Sequence, residues 1–361
     1  MRIILIAPDR SVKGGITTVV EGILASDLAE KHEFVHISSH RDDLSKLGKL
    51  WYGLKAYARF AKTSRSFKPD LVHIHSSFGA SFFRKAVFML LCRSSGIKQI
   101  NHIHGADFDS FYASSGAFKK SIVKWIYSKP NATIVLSKEW EQKIIAITTR
   151  SKVFCLNNFA VLPDKDSNPL IDQYNDRQNV VLFLGEVGKR KGAYDMPGIV
   201  ERVAKRVPDA HFIIAGNGEV EAVSEIIAGK GLSGNVTFTG WIGPDQKKSF
   251  LLSSRVYLLP SYNEGLPMSI LEAMGYGLPI VSTFVGGIPE LVVPGENGFL
   301  YQPGDIEGMS NGIIELLQNQ QRSLEVSGNN RRKIEKDYSL EVYAQKLDRI
   351  YTETVALNTS P

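Results

Sequence analysis

Cysteine is nearly absent: the 361-residue chain has two, Cys92 and Cys155. Two thiols exclude a disulfide framework and a cysteine-based zinc site. No apolar run approaches the ~20 residues that a membrane span needs. The opening run Ile3-Ile4-Leu5-Ile6-Ala7-Pro8-Asp9 is too short for a signal peptide and lacks a small-residue cleavage site behind it. It reads as a first strand, and the expected location is the cytoplasm. Gly-x-Gly-x-x-Gly is missing after that strand, which argues against a dinucleotide-dependent dehydrogenase. No Asp-x-Asp pair stands in a loop after a strand, since Asp164-Lys165-Asp166 falls in a polar linker. Metal ligation is therefore not expected. Motifs for RNA or DNA are missing too, so nucleic acid is not an expected partner. There is no tandem repeat.

The rest of the sequence is that of a globular protein. Hydrophobic residues make up 43% and charged residues 22%, which excludes a disordered chain, and the length suits two domains. Charge is unevenly spread. Residues 1–160 hold 24 Lys+Arg against 12 Asp+Glu, and residues 161–361 hold 19 against 25. The halves therefore meet different partners, and the first should face something anionic.

Nearly continuous Val/Ile/Leu runs mark parallel strands covered on both faces. The candidates are Arg2–Ala7, Leu71–His75, Gln99–His104 and Ala132–Leu136 in the first half. In the second they are Val180–Leu184, His211–Ala215, Asn235–Thr239, Val256–Leu259 and Pro279–Ser282. Helical patterns lie between them, among them Pro197–Val207, Pro267–Tyr276 and Asp305–Asn319. This predicts two doubly wound α/β domains, 1–160 and 180–339, joined by a linker over 161–179. A helix over 340–357 is expected to cross back onto the first domain. The helix predicted over Leu44–Phe67 carries Leu47, Trp51, Leu54, Ala58 and Ala61 as a stripe among six cations, with Tyr52, Tyr57 and Phe60 interleaved. That pattern suits an anionic membrane surface. An amphipathic helix packing its stripe on its own domain is the alternative.

Open α/β sheets bind ligands beyond the carboxyl ends of their strands, so the residues there carry the candidate chemistry. Gly14-Gly15 follows the first strand, either a tight turn or a phosphate-approaching helix start. His104 closes a strand in His104-Gly105-Ala106-Asp107, where an imidazole can bond a sugar hydroxyl or a phosphate; His73, His75 and His102, inside strands, read as packed core. Gly185-Glu186-Val187-Gly188-Lys189-Arg190-Lys191-Gly192 sets three cations in a glycine-rich loop suited to a diphosphate. Gly216-Asn217-Gly218 is a second, weaker glycine turn. The most informative block is Asn263-Glu264-Gly265-Leu266-Pro267-Met268-Ser269-Ile270-Leu271-Glu272. Two carboxylates there can accept hydrogen bonds from sugar hydroxyls, and Pro267 suits a first helical position.

Glu-Gly-Leu-Pro-x-x-x-Leu-Glu-Ala-Met-Gly, with Glu264 and Glu272 eight apart, resembles the signature of retaining glycosyltransferases of family 4. The glycine pair, His-Gly-x-Asp, Lys191-Gly192, Gly216–Gly218 and Gly286-Gly287-Ile288-Pro289-Glu290 follow in the family's order. The resemblance implies the GT-B fold, two Rossmann-like domains facing each other across a deep cleft. It implies a nucleotide-sugar donor and a saccharide or lipid-linked saccharide acceptor in surface polysaccharide or glycan assembly, with no cofactor and no metal. Glu272 is then expected on the ribose hydroxyls, Glu264 on the donor sugar and Lys191 on the diphosphate. Gly15 and the amides of Gly265, Leu266, Pro267's neighbour Met268 and their surroundings are expected to line sugar and phosphates, with Gly14, Gly185, Gly216, Asn217 and Gly218 also on the donor side. His104 is expected over the sugar, toward the acceptor. One position departs: the family has an arginine where this chain has Glu186, and Arg190 or Lys189 is the expected substitute. No residue stands out as a covalent nucleophile, which favours same-face attack. A sugar-nucleotide epimerase, a phosphorylase on the same fold, or a non-catalytic sugar-nucleotide binder are the rival readings.

Overall fold

Branched apolar runs fold here as strands because helices cover them on both faces. The computed structural model describes residues 1–105, 109–148, 150–162 and 177–357. Asp107, Asp164-Lys165-Asp166 and most of the linker expected over 161–179 lie outside the described residues. The chain divides into two compact units, Met1–Asn158 with Leu340–Pro361, and Phe159–Ser339.

The first unit holds β1 Arg2–Ala7, β2 Glu33–Ser38, β3 Leu71–Ser76, β4 Lys98–Ile103, β5 Ala132–Val135 and β6 Lys152–Cys155. They form one parallel sheet in the order β2-β1-β3-β4-β5-β6. Helices Lys46–Phe67, Ala80–Ser94 and Ala117–Tyr127 cover one face, sharing a core with Ile4, Ile6, Val72 and Ile74. Strand side chains alternate, so His73 points to the opposite face. There it meets Tyr351 of helix Leu340–Ala356, which packs on β4.

The second unit holds β7 Val180–Leu184, β8 His211–Ala215, β9 Val236–Gly240, β10 Val256–Leu259, β11 Ile280–Thr283 and β12 Gly298–Tyr301. This sheet is also parallel, in the order β12-β11-β10-β7-β8-β9. Chain direction across the sheet reverses between β7 and β10, the position at which doubly wound sheets open a ligand crevice.

The structure corrects the sequence reading at two points and decides between its alternatives at a third. β2, β6 and β12 were not anticipated; each is the edge of its sheet. Pro267 is the N-cap of helix Met268–Gly275 rather than its first residue. The third concerns helix Lys46–Phe67. Its buried residues are Gly53, Ala56 and Phe60, whereas Leu47, Trp51 and Leu54 of the expected stripe are 72%, 64% and 49% exposed. The smaller residues pack on the sheet and the larger apolar ones face outward.

Candidate functional site

Two loops meet at the carboxyl ends of β7 and β10. Beyond β7, Lys189–Lys191 form one turn of 3-10 helix ended by Gly192 in the left-handed region (φ 72°). A Cβ on Gly192 would lie 1.9 Å from the Pro260 carbonyl oxygen, so only glycine allows this turn to press on the end of β10. Two bonds to the Arg190 carbonyl fasten the loops: the Tyr262 amide donates at 2.8 Å and the Ser261 hydroxyl at 3.1 Å. Gly192→Ala combines backbone strain with a backbone clash. We expect a loss of about 3 kcal/mol, which lowers the melting temperature of a unit this size by roughly 5–10 °C in calorimetry.

This stapling places Glu264 beside two cations. The carboxylate is 5% exposed. Lys191 Nζ donates to its Oε1 at 2.6 Å and Ser261 Oγ at 2.7 Å. Arg190 Nη1 lies 3.9 Å from the same oxygen and donates to the Asn263 carbonyl at 3.3 Å, while Nη2 reaches Glu186 Oε2 at 3.4 Å. Arg190, the expected stand-in for the arginine missing at position 186, is thus at the Lys191–Glu264 pair. Gly286 (φ 53°) closes the other side, where a Cβ would meet the Glu264 carbonyl at 1.9 Å, and the Gly287 amide donates to the Gly265 carbonyl at 2.7 Å.

Glu272 lies one turn into helix Met268–Gly275, largely buried, and accepts from Lys247 Nζ at 2.7 Å. The two carboxylates therefore hold separate cations. The helix starts after Pro267 with no side-chain cap and no acid in its first turn. Its leading amides, Met268 among them, have no intrahelical acceptors and a positive dipole end, which suits an anion. Gly265 and Leu266 lead directly into it.

Gly185, Gly216, Asn217 and Gly218 come together beside this site for packing reasons. The Gly185 amide donates to Ala215, Val187 donates to Asn217, and Cβ atoms on Gly216 or Gly218 would strike the carbonyls of Gly185 or Val187. The alkyl stem of Lys191 passes Gly185.

The remaining predicted residues belong to the first unit. Gly14 caps helix Gly15–Ala25 beyond β1. His104 follows β4, partly exposed, with Nε2 2.9 Å from His75 Nδ1. Burial, then the nearby Lys85 ammonium, pulls the His104 value down to about 3, so the ring is neutral and keeps one donor and one acceptor nitrogen. His73 Nε2 lies 3.2 Å from His102 Nδ1, and His73 Nδ1 2.8 Å from the Tyr351 hydroxyl. His73, His75 and His102 are fully buried, as read from the sequence. The partnership of His75 with His104 was missed, as were Ser261 and Lys247. Alternation within β3 and β4 does place positions 73, 75, 102 and 104 on one face, a signal that could have found the first. Lys247 had none, because its pairing joins elements far apart in sequence.

Two family models meet on the chain. Glycosyltransferase Family 4 matches residues 15–159, and Glycosyl transferases group 1 matches residues 164–334. The 2-deoxystreptamine N-acetyl-D-glucosaminyltransferase of Niallia circulans is 32% identical over 39% of this chain and 37% of its own length. The chain thus spans little over a third of that relative. The Escherichia coli UDP-Gal:alpha-D-GlcNAc-diphosphoundecaprenol alpha-1,3-galactosyltransferase is 23% identical over 84% of this chain and 80% of its own. Among solved structures, sucrose-phosphate synthase from Thermosynechococcus elongatus has a TM-score of 0.80 at 19% identity, covering 98% and 99% of the two chains. HepE of Anabaena in complex with UDP-glucose has a TM-score of 0.75 at 16% identity, covering 98% and 100%. These likenesses show the two-domain α/β GT-B fold.

Proposed function

The chain belongs to the family 4-like glycosyltransferases, and we propose that it moves a sugar from a nucleoside-diphosphate donor to a saccharide or lipid-linked saccharide, with retention at the anomeric carbon. The observation that carries this reading is the buried Glu264 carboxylate held by Lys191 and Ser261 where the order of the second sheet reverses. In this reading Glu264 accepts hydrogen bonds from donor-sugar hydroxyls. Glu272 takes the ribose hydroxyls. Lys191, Arg190 and the amides at the start of helix Met268–Gly275 take the diphosphate.

As the anomeric C–O bond breaks, its electron pair goes to the departing phosphate oxygen. Cations and amides already aimed at that charge lower the barrier without rearranging. The acceptor hydroxyl attacks from the face the phosphate leaves, and its proton passes to a phosphate oxygen. In this reading the two cations and the helix start supply the charge neutralisation that a divalent ion gives elsewhere, so turnover persists in EDTA. For His104 the reading keeps a hydrogen bond to a sugar hydroxyl, through the nitrogen that His75 leaves free. Work on the cytoplasmic side, in bacterial surface polysaccharide or glycan assembly, fits a nucleotide-sugar donor and the similarity to the undecaprenol-linked enzyme.

A thermal-shift screen against UDP, GDP, ADP and their sugars tests the donor assignment. Uridine nucleotides come first, because the similar HepE structure holds UDP-glucose. A ligand at about 100 times its Kd adds about 2.7 kcal/mol, a shift of several degrees. Glu272→Ala is expected to weaken that ligand by roughly 10–100-fold, the equivalent of one or two charge-assisted hydrogen bonds. Absence of any nucleotide-induced shift overturns the reading. An inverted anomeric product by NMR removes retention alone, and conversion of a donor without acceptor would favour the epimerase.

A further inference from the structure

Helices Lys46–Phe67, Ala80–Ser94 and Ala117–Tyr127 contain twelve Lys+Arg and no Asp or Glu. They lie side by side on one face of the first sheet, the middle helix touching both others. Of these cations only Lys85 is buried. Asp42 and Asp43 precede the first helix, with Asp43 paired with Arg41, and Asp9 accepts from Ser11 and from Tyr52 of that helix.

The same layer exposes apolar side chains of a size that the rest of the surface mostly hides. On the first helix Leu47, Leu50, Trp51 and Leu54 follow the i, i+3, i+4, i+7 pattern of one helical stripe. The stripe that packs on the sheet is a different one, Gly53, Ala56 and Phe60. The helix therefore has two apolar stripes, and its own fold uses only the second. On the third helix Phe118 is 81% exposed, and Trp125, seven residues on, is 52% exposed with Lys129 Nζ 4.2 Å above its ring. Lys46 and Lys55 flank the first stripe about a quarter-turn to either side, and the exposed Lys124 precedes Trp125 on the third helix.

We propose that this three-helix face docks on a bilayer of anionic phospholipid. Two requirements are met together. Three helices rich in cations and carrying no acids attract a negative surface, and bulky apolar and indole side chains standing outward from them enter the headgroup boundary. Duplex nucleic acid or an acidic polymer would use the cations and leave Leu47, Leu50 and Leu54 without a partner. No helix among the described residues is long and apolar enough to cross a membrane, so the contact is a surface one. The proposal goes beyond glycosyl transfer. It needs only the surface of the first unit, although a lipid-linked acceptor would be met there.

The test is flotation of the full chain with phosphatidylcholine vesicles, with and without phosphatidylglycerol. Three variants are used: Lys46→Gln/Lys55→Gln, Trp51→Ser/Leu54→Ser, and Phe118→Ser. All the substituted residues are at the surface, and unchanged circular dichroism with an unchanged nucleotide-induced thermal shift shows that both units remain folded. The expected result is binding to anionic vesicles alone, weakened about fivefold per removed cation and roughly tenfold by the Trp51/Leu54 pair. Failure to bind anionic vesicles overturns the proposal, as does equal binding to neutral ones. So does binding to duplex DNA or heparin that matches vesicle binding and ignores the Trp51/Leu54 and Phe118 substitutions. A chain that floats yet binds no nucleotide keeps this surface and loses the glycosyltransferase reading instead.

Discussion

Lys191→Ala is expected to cut kcat/KM for sugar transfer by roughly 10²–10³-fold, the usual cost of one well-aimed group at a developing oxyanion. Lys191 is the cation closest to Glu264, and its neighbour Arg190 is turned partly toward Glu186. Arg190→Ala should therefore lose less. Lys191→Ala also strands a buried carboxylate, and breaking a buried ion pair costs about 3–5 kcal/mol of stability. Two effects could thus produce one loss of rate. The double variant Lys191→Met/Glu264→Gln separates them, because Ser261 can still donate to the side-chain amide oxygen at position 264 and no charge is left uncompensated. Stability then recovers in a denaturant melt while transfer stays at the level of Lys191→Ala or lower. Recovery of transfer along with stability would make Lys191 a structural residue and remove it from the diphosphate.

The site residues legible in the sequence were those whose spacing reflects a local backbone device. Gly192 must be left-handed against Pro260, Gly286 must clear Glu264, and Pro267 must precede a helix start. These demands fix residue types in order along the chain, so Lys191, Glu264 and Glu272 stood out with them. Lys247 and Ser261 did not, since a Lys or Ser is common anywhere and only the fold brings it to a carboxylate. The same logic sorts the strands. Central strands such as β1, β3 and β10 are buried along nearly their whole length and read as apolar runs. β2, β6 and β12 are edges, partly exposed and interrupted by Glu33, His36, Lys152 or Gly298. For helix Lys46–Phe67 the sequence left two readings open, a stripe facing outward or one packed on its own domain, and burial decides for the first. The larger apolar residues of this helix are on the solvent side.

The first unit should lose its stability in mild acid, well before carboxylate protonation matters. His73, His75 and His102 are fully buried, and burial holds all three below the ordinary imidazole value, His73 at about 3. Neighbours add to this: after burial, His73, His104, His102 and Lys85 each disfavour a charge on His75, and among the described residues no carboxylate stands with the groups acting on the three. In the unfolded chain each ring titrates near 6.5. Above that pH neither state is protonated and the rings cost nothing. Below it the unfolded chain takes up protons that the folded unit refuses, so stability falls as pH drops from about 6.5 toward the folded values. Each ring contributes a slope of about 1.4 kcal/mol per pH unit, so three rings between pH 6.5 and 5 remove up to about 6 kcal/mol. That is comparable with the whole stability of a typical domain, about 5–15 kcal/mol. Protonation also breaks the chain of bonds itself. The His73–His102 contact needs one bare nitrogen, which a doubly protonated pair lacks. Melts followed by fluorescence of the buried Trp140 should show a level first-unit transition from pH 8 to 7 and a steep fall by pH 5. His102→Asn, which cannot take up that proton, should make the slope shallower by about one ring. A first-unit transition that stays level down to pH 5 would mean that these rings accept protons in the folded state, and the buried, acid-free environment assigned to them would be wrong.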